Sequence, residues 1–467
     1  MLRATAGAWL NYGTTLAFQV LLARRFGTGS TAAAFQLTFA MWVAIAAIFS
    51  STLTTVLVPR LADRASRAAV MRTLKVVFCL IFLVCVVLFA TAGPIAKGLH
   101  EVYDVDVSTL TALVRSTAVM IVLQTLCDLG IACGIAGGRR FTPTLAPAGP
   151  STAGAIALLV SPDLSVVSLY QWLIIGSVAE LAVVAPALRL LRGTAPDGPP
   201  LLGITLATLA QYSLASSLAP LELLFASIFA SPHDSAHYAF AVRSLAVAQQ
   251  LLIGGALVAL LGDWGKDILK RSVAFAQDQI TRAVTSVVWV LGAAIAIAVL
   301  LGHGLLTLLY EHGAFSGQDT SDVYELMVLG LAGFALDAVS VTVSSMLLSR
   351  QRNDLAIKTG YVRFAVRMVA MVLGLSAFGI VGVPIAWMCA SLVGLALNLR
   401  WLRVEHVPLL RARLLRPGLY LAGSAGAAAA LAAATTDDQV IVRLPVTVVL
   451  ALPALAALAA LARTRGA

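Results

Sequence analysis

Ionisable side chains stand inside long apolar runs of this chain: Arg115, Arg243, Asp128, Glu180, Glu222 and Asp337. A charge at the centre of a membrane helix costs about 2.5–3.5 kcal/mol on insertion scales, so each must be paired, protonated or turned toward water. A buried arginine in such a place can hold an anion, and a buried carboxylate can take up and release a proton. Arg115 and Asp128 are thirteen positions apart on one predicted helix. At 100° per residue they lie on roughly opposite faces and do not pair. Arg24 and Arg25 close the first apolar run in "VLLARRFGTGSTAAAF". Either they snorkel to lipid headgroups as anchors, or one turns inward to meet an anionic ligand. Other chemistry is not suggested: we find no glycine-rich phosphate loop with lysine and no membrane-embedded serine-histidine or aspartate dyad in the sequence. The sequence therefore predicts no enzyme, no metal centre and no bound cofactor.

The elements that position these residues are membrane helices. The composition is 60% hydrophobic and only 12% charged, which excludes an ordinary soluble domain. Apolar runs of about 20 residues recur from the first near residues 5–24 to the last near 440–462, and we count about fourteen. An all-α polytopic membrane protein is predicted. The first run ends in Arg-Arg-Phe rather than a small-residue cleavage site, and we read it as a retained helix. The cysteines, Cys79, Cys85, Cys127, Cys133 and Cys389, all fall in apolar runs without disulfide or zinc spacing.

With about fourteen spans, nearly all of the 32 Lys and Arg residues fall on the side of the two termini; only Arg24, Arg25, Lys97 and Arg443 fall opposite, with Arg115 and Arg243 inside spans. The positive-inside rule then places both termini in the cytoplasm. Acidic loops such as "HEVYDVD" and "EHGAFSGQDTSD" lie outside. The net charge of +10 follows from topology and anionic inner-leaflet lipid, and nucleic acid is not an expected partner.

The Pro/Gly-rich "RGTAPDGPPLLG" after the sixth span divides two related halves. "GPIAKGLHEVYDVD" leads into a helix ending at "GIAGGRRFTPTLA", and "GHGLLTLLYEHGAFSGQD" into one ending at "MLLSRQRNDLAIKTG", at an offset of about 210 residues. Six helices per half imply parallel repeats. We expect a six-helix lobe over residues 1–192, a second over 200–402, and two further helices over 413–467.

In "LLARRFGTGSTAAAF", "VLVPRLADR", "HYAFAVRSLAVAQQLLIGG" and "LLYEHGAFSGQDT…LLSRQRNDLAIKTG", the chain resembles the MurJ/MviN-type lipid flippases of the multidrug/oligosaccharidyl-lipid/polysaccharide exporter superfamily. The resemblance runs through essentially the whole chain in order. It implies a two-lobed transporter that turns a polyprenyl-pyrophosphate-linked cell-wall precursor across the bacterial inner membrane by alternating access. It also makes Arg24 and Arg243, from the first and eighth helices, the cations that grip the anionic headgroup, with Arg25 an anchor. Glu222 is the expected ion-coupling residue, with a proton favoured over sodium, or the membrane potential as the drive. Asn11 and Gln19 in the first helix, and Gln211 in the seventh, are expected to offer amides to the sugars. Interhelical hydrogen bonding is the other reading of these polar residues and their neighbours.

The departures from the family pattern matter as much. Phe18-Gln19 stands where an Arg-Asp pair is expected, Ala33 replaces an acid, and Ala40 and Ala46 replace basic residues. Two alternatives therefore stand beside the flippase: a proton-coupled antiporter of small amphipathic molecules, resting on Glu222, and a non-transporting scaffold. Membrane lipid, a lipid-linked anionic glycan and cell-envelope synthesis proteins are the partners considered.

Overall fold

The computed structural model describes residues 2–52, 67–137, 141–191, 202–249, 273–349, 352–434 and 440–463. These residues are helical almost throughout, as they must be where no water satisfies the backbone. The "VLVPRLADR" segment lies outside the described residues. Eight helical stretches among the described residues are long and apolar enough to cross a membrane. The fold is thus an all-α multi-pass membrane protein, and the sequence count of about fourteen goes further than these eight.

Contacts group the chain into two compact units, Met1–Ala239 and Phe240–Ala467. The first contains α1 (Leu2–Phe26), α2 (Ser30–Thr52), α3 (Arg67–Ala90), α4 (Ala92–Tyr103), α5 (Val107–Ala136), α6 (Phe141–Leu145), α7 (Ala148–Val160), α8 (Val166–Val184) with a 3-10 extension to Leu191, and α9 (Leu202–Phe229). α2 is its central helix, packed against α9 on one side and α5 on the other, while α7 joins α1 to α8. The seam between α7 and α8 is glycine-lined: a Cβ at Gly176 would stand 2.7 Å from Pro150 Cα and 2.8 Å from Ala153 Cβ. Only hydrogen at that position lets the two backbones approach this closely.

α4 is an unexpected element. Residues read as an external loop form a 12-residue helix that buries Ala92, Ala96, Leu99 and Tyr103 at helical spacing. It stops at Asp104, whose φ of 52° is left-handed. Asp106 then caps α5: its carboxylate accepts from the Ser108 hydroxyl and, at 3.1 Å, from the Thr109 amide. These bonds, the Ser108 one first, hold the exposed Asp106 carboxyl below the usual aspartate range.

α10 (Pro232–Gln249) begins in the first unit and continues into the second. It starts with a capping box, Ser231 Oγ donating to Asp234 at 2.7 Å and accepting from its amide at 3.0 Å. The second unit contains α11 (Val273–Tyr310), α12 (Gly317–Ser349), α13 (Asn353–Phe378), α14 (Gly382–Val404), α15 (Arg411–Ala434) and α16 (Val440–Arg463). α14 packs between α12 and α13, and α11 carries α15 and α16. Tyr420 of α15 stacks on Trp289 at 4.5 Å, and Ser424 donates to the Gly292 carbonyl at 3.2 Å. The two C-terminal helices are therefore docked on α11 through specific contacts.

Candidate functional site

The polar face of α1 is partly consumed by structure. Thr14 and Thr15 return their hydroxyls to the Asn11 carbonyl at 2.8 and 2.9 Å, and Thr15 also meets Ser151 of α7 at 3.3 Å. The Asn11 side chain is half-buried. One turn further, Phe18 is fully buried against Phe35 and Phe39 of α2. Its ring occupies the space over Gly154 of α7, 2.6 Å from where a Cβ would be. Gln19 beside it is 2% exposed, and its Oε1 has no hydrogen-bond partner. α1 ends with Arg24 half-buried and Arg25 exposed, before the chain turns at Gly27 with φ 59°. A second buried amide escaped the sequence reading: Gln36 of α2 is 1% exposed with neither Oε1 nor Nε2 hydrogen-bonded.

Glu222 of α9 is buried and accepts a 3.0 Å hydrogen bond from the Tyr238 hydroxyl of α10. Tyr238 lies in the "HYAFAVRSLA" stretch, so the signal was in the sequence, but only as part of a motif. Pro220 sits two residues before Glu222 inside the helix and has no amide to bond the carbonyl one turn back, which leaves that carbonyl available. The same pair of helices is tied by Ser235 donating to the Leu223 carbonyl at 3.0 Å. Gln211 lies on α9, and its side chain is outside the described residues.

Arg243 falls on the part of α10 in the second unit and is half-buried. Its neighbour Ser244 meets the Tyr310 hydroxyl at 3.3 Å, and Tyr310 in turn packs with Phe240 and Phe315. The arginine is thus carried on a stretch of helix fixed by aromatic packing.

The remaining intramembrane charges resolve differently in the two units. Asp337 of α12 forms an ion pair with Arg363 of α13. The Arg363 stem crosses the face of α14 at Gly394, where any Cβ would collide with it. Asp128 of α5 instead accepts from Gln124 of its own helix at 3.3 Å. Arg115 lies over the Phe89 ring of α3 at 5.1 Å, and Arg367 over Trp387 at 5.4 Å. Glu180, for which the sequence offered no partner, is buried near Asp128.

Membrane-length helices with isolated polar and charged groups between them define a multi-pass membrane protein, and comparison with known proteins narrows it. The sequence profile of "Lipid II flippase MurJ" matches residues 22–462. The chain belongs to the MurJ lipid II flippase family. A solved structure of the lipid II flippase MurJ in an inward closed conformation superposes with a TM-score of 0.77, 12% identity, and coverage of 97% of this chain and 98% of that one. An inward-facing multidrug resistance MATE family transporter of the MOP superfamily gives a TM-score of 0.68 at 16% identity, covering 85% and 94%. A MOP superfamily transporter from Pyrococcus furiosus Vc1 (DSM3638), described as having a binding pocket of reverse polarity, gives 0.62 at 16% identity, covering 87% and 95%. No curated protein sequence matches.

Proposed function

We propose that this chain is a flippase of the bacterial inner membrane, with both termini cytoplasmic, that turns a polyprenyl-(pyro)phosphate-linked cell-wall or glycan precursor across the bilayer by alternating access. The family match over residues 22–462 carries the reading. In it, residues 1–192 and 200–402 act as the two moving lobes and 413–467 as an appended helix pair. Arg24 and Arg243 each contribute a cation to the translocated headgroup, where charge-assisted hydrogen bonds to phosphate oxygens are strong and directional. Asn11, Gln19 and Gln211 supply polar groups, a role supported for Gln19 by its buried, unpartnered Oε1. Glu222, held by Tyr238, takes and releases the coupling proton. The drive is a proton or the membrane potential, and no bound cofactor is invoked.

The second reading, a proton-coupled antiporter of small amphipathic molecules, is favoured by Phe18. Where the resemblance implies a charge, this residue is an aromatic core side chain against Phe35, Phe39 and Gly154. Complementation of a strain depleted of its lipid II flippase separates the two, comparing wild type with Arg24→Ala and Arg243→Ala at matched membrane levels. The flippase reading expects growth with wild type and loss with either variant. Failure of well-expressed wild type, together with proton-driven dye efflux that Glu222→Gln abolishes, would replace it with the antiporter.

A further inference from the structure

The buried face of α8 reads Gly176, Ser177, Glu180, Val184, a stripe at helical spacing. It is pinned to α5 on both sides of Glu180. Cys127 Sγ donates to the Ser177 carbonyl at 3.4 Å, and a Cβ at Gly130 would come 2.8 Å from Val184 Cβ. On its other side Glu180 is wedged against α7, its Cβ 3.1 Å from the Cβ position of Gly149. Asp128 lies on α5 between Cys127 and Gly130, and its carboxyl and that of Glu180 act on each other electrostatically. Glu180 is 2% exposed and Asp128 9%. Neither carboxyl oxygen of Glu180 makes a hydrogen bond of normal geometry, and the group that reaches toward it is the Gln124 amide. Its carboxyl is thus held in a tight seam, beside a second acid and without a cation among the described residues.

Among the described residues, the surroundings hold no compensating charge. α2, α6 and α7 carry no ionisable side chain among their described residues. On α5 the adjacent titratable group is Cys127, and on α8 Tyr170 is bound up with Thr117 at 3.3 Å. Lys75 of α3 and Arg189 of the 3-10 extension are exposed. α4, with Lys97, His100 and Glu101, meets α5 near that helix's opposite end. Two interacting carboxylates in one desolvated seam, with no cation beside them among the described residues, do not both stay ionised, and a shared proton is the simplest neutralising ligand.

We propose that Asp128 and Glu180 form a proton-binding site in the seam between α5 and α8, distinct from Glu222. The site belongs to the first unit alone and does not rest on the identity of the transported molecule. Gln124, which already donates to Asp128, would hold the ionised member while the other keeps the proton. Loss of that proton would leave two like charges in a glycine-tight seam, which must then open or admit water.

Infrared difference spectroscopy of the full chain in lipid nanodiscs tests this directly. At neutral pH the wild type is expected to show a protonated-carboxyl C=O band that is lost in D128N/E180Q and retained in D337N, whose acid is ion-paired. The near-isosteric single variants D128N and E180Q, checked for an unchanged unfolding midpoint, guard against misfolding of the double variant. An identical band in wild type and double variant would overturn the proposal. So would loss of the wild-type band on replacing potassium by sodium at constant pH, because the seam would then hold a metal cation.

Discussion

Asp128 and Asp337 lie about 210 residues apart, each on a long apolar helix of its own unit, yet their charges are settled in opposite ways. In the second unit Asp337 of α12 meets Arg363 of α13, and Gly394 clears the path for the arginine stem. In the first unit α7 has no charged residue at all. Asp128 is met there by the neutral groups of Gln124 and of Ser50 on α2, and by a second acid, Glu180. Two apolar helices can thus each carry a buried acid while different groups balance it. An ion pair gives a fixed cross-brace between helices. An acid pair gives a seam whose charge depends on proton occupancy.

That contrast can be broken from the C-terminal side first. Arg363→Met strands Asp337 without its cation and should cost about 2–3 kcal/mol of stability, a value at the low end for buried pairs because the partners are 26% and 19% exposed. The unfolding midpoint in detergent measures it. Gly394→Ala, which pushes the Arg363 stem off its path, should cost about 1–2 kcal/mol in the same assay and lose most of that cost in an Arg363→Met background. Glu180→Gln should stay within about 0.5 kcal/mol of wild type, because it strands no opposite charge; a loss as large as that of Arg363→Met would mean that Glu180 is the anionic half of an unseen ion pair.

The smallest effect concerns the N-terminal end of α5. The Ser108 and Thr109 bonds lower the Asp106 carboxyl in the folded state. Its contribution is therefore complete above the unfolded aspartate value, about 3.9, and fades as pH falls through the lower folded value. Hydrogen exchange in the first turn of α5 should rise only in that acid window, and Asp106→Asn, which keeps a capping acceptor, should flatten the rise.

Much of this was readable from residue patterns. Apolar runs of membrane length announced the helices, whereas the reciprocal caps of Ser231 with Asp234 and of Ser316 with Asp319 were passed over in the sequence and emerged from the hydrogen bonds. α4 was not read, because twelve residues with Lys97, His100 and Glu101 between the apolar positions resemble a loop when judged by mean hydropathy. Within the site, the family motifs pointed to Arg24, Glu222 and Arg243. The partners were hidden, since pairing between helices is a tertiary fact: Tyr238 reaches Glu222 across a turn, and Glu180 approaches Asp128 across 52 positions of chain. The loss of the expected charge at Phe18 was legible, but its consequence, an aromatic plug over Gly154, needed the packing.

The most direct test of the proposed function is reconstitution. Purified protein in vesicles containing a fluorescent polyprenyl-pyrophosphate-linked glycan is mixed with a membrane-impermeant quencher, and the protected fraction is followed in time. The account predicts that wild type exposes the inner-leaflet lipid far faster than protein-free vesicles, and that Arg243→Ala returns the rate to background. Well-folded wild type that leaves the labelled lipid at the protein-free rate, with and without an imposed proton gradient, would contradict it.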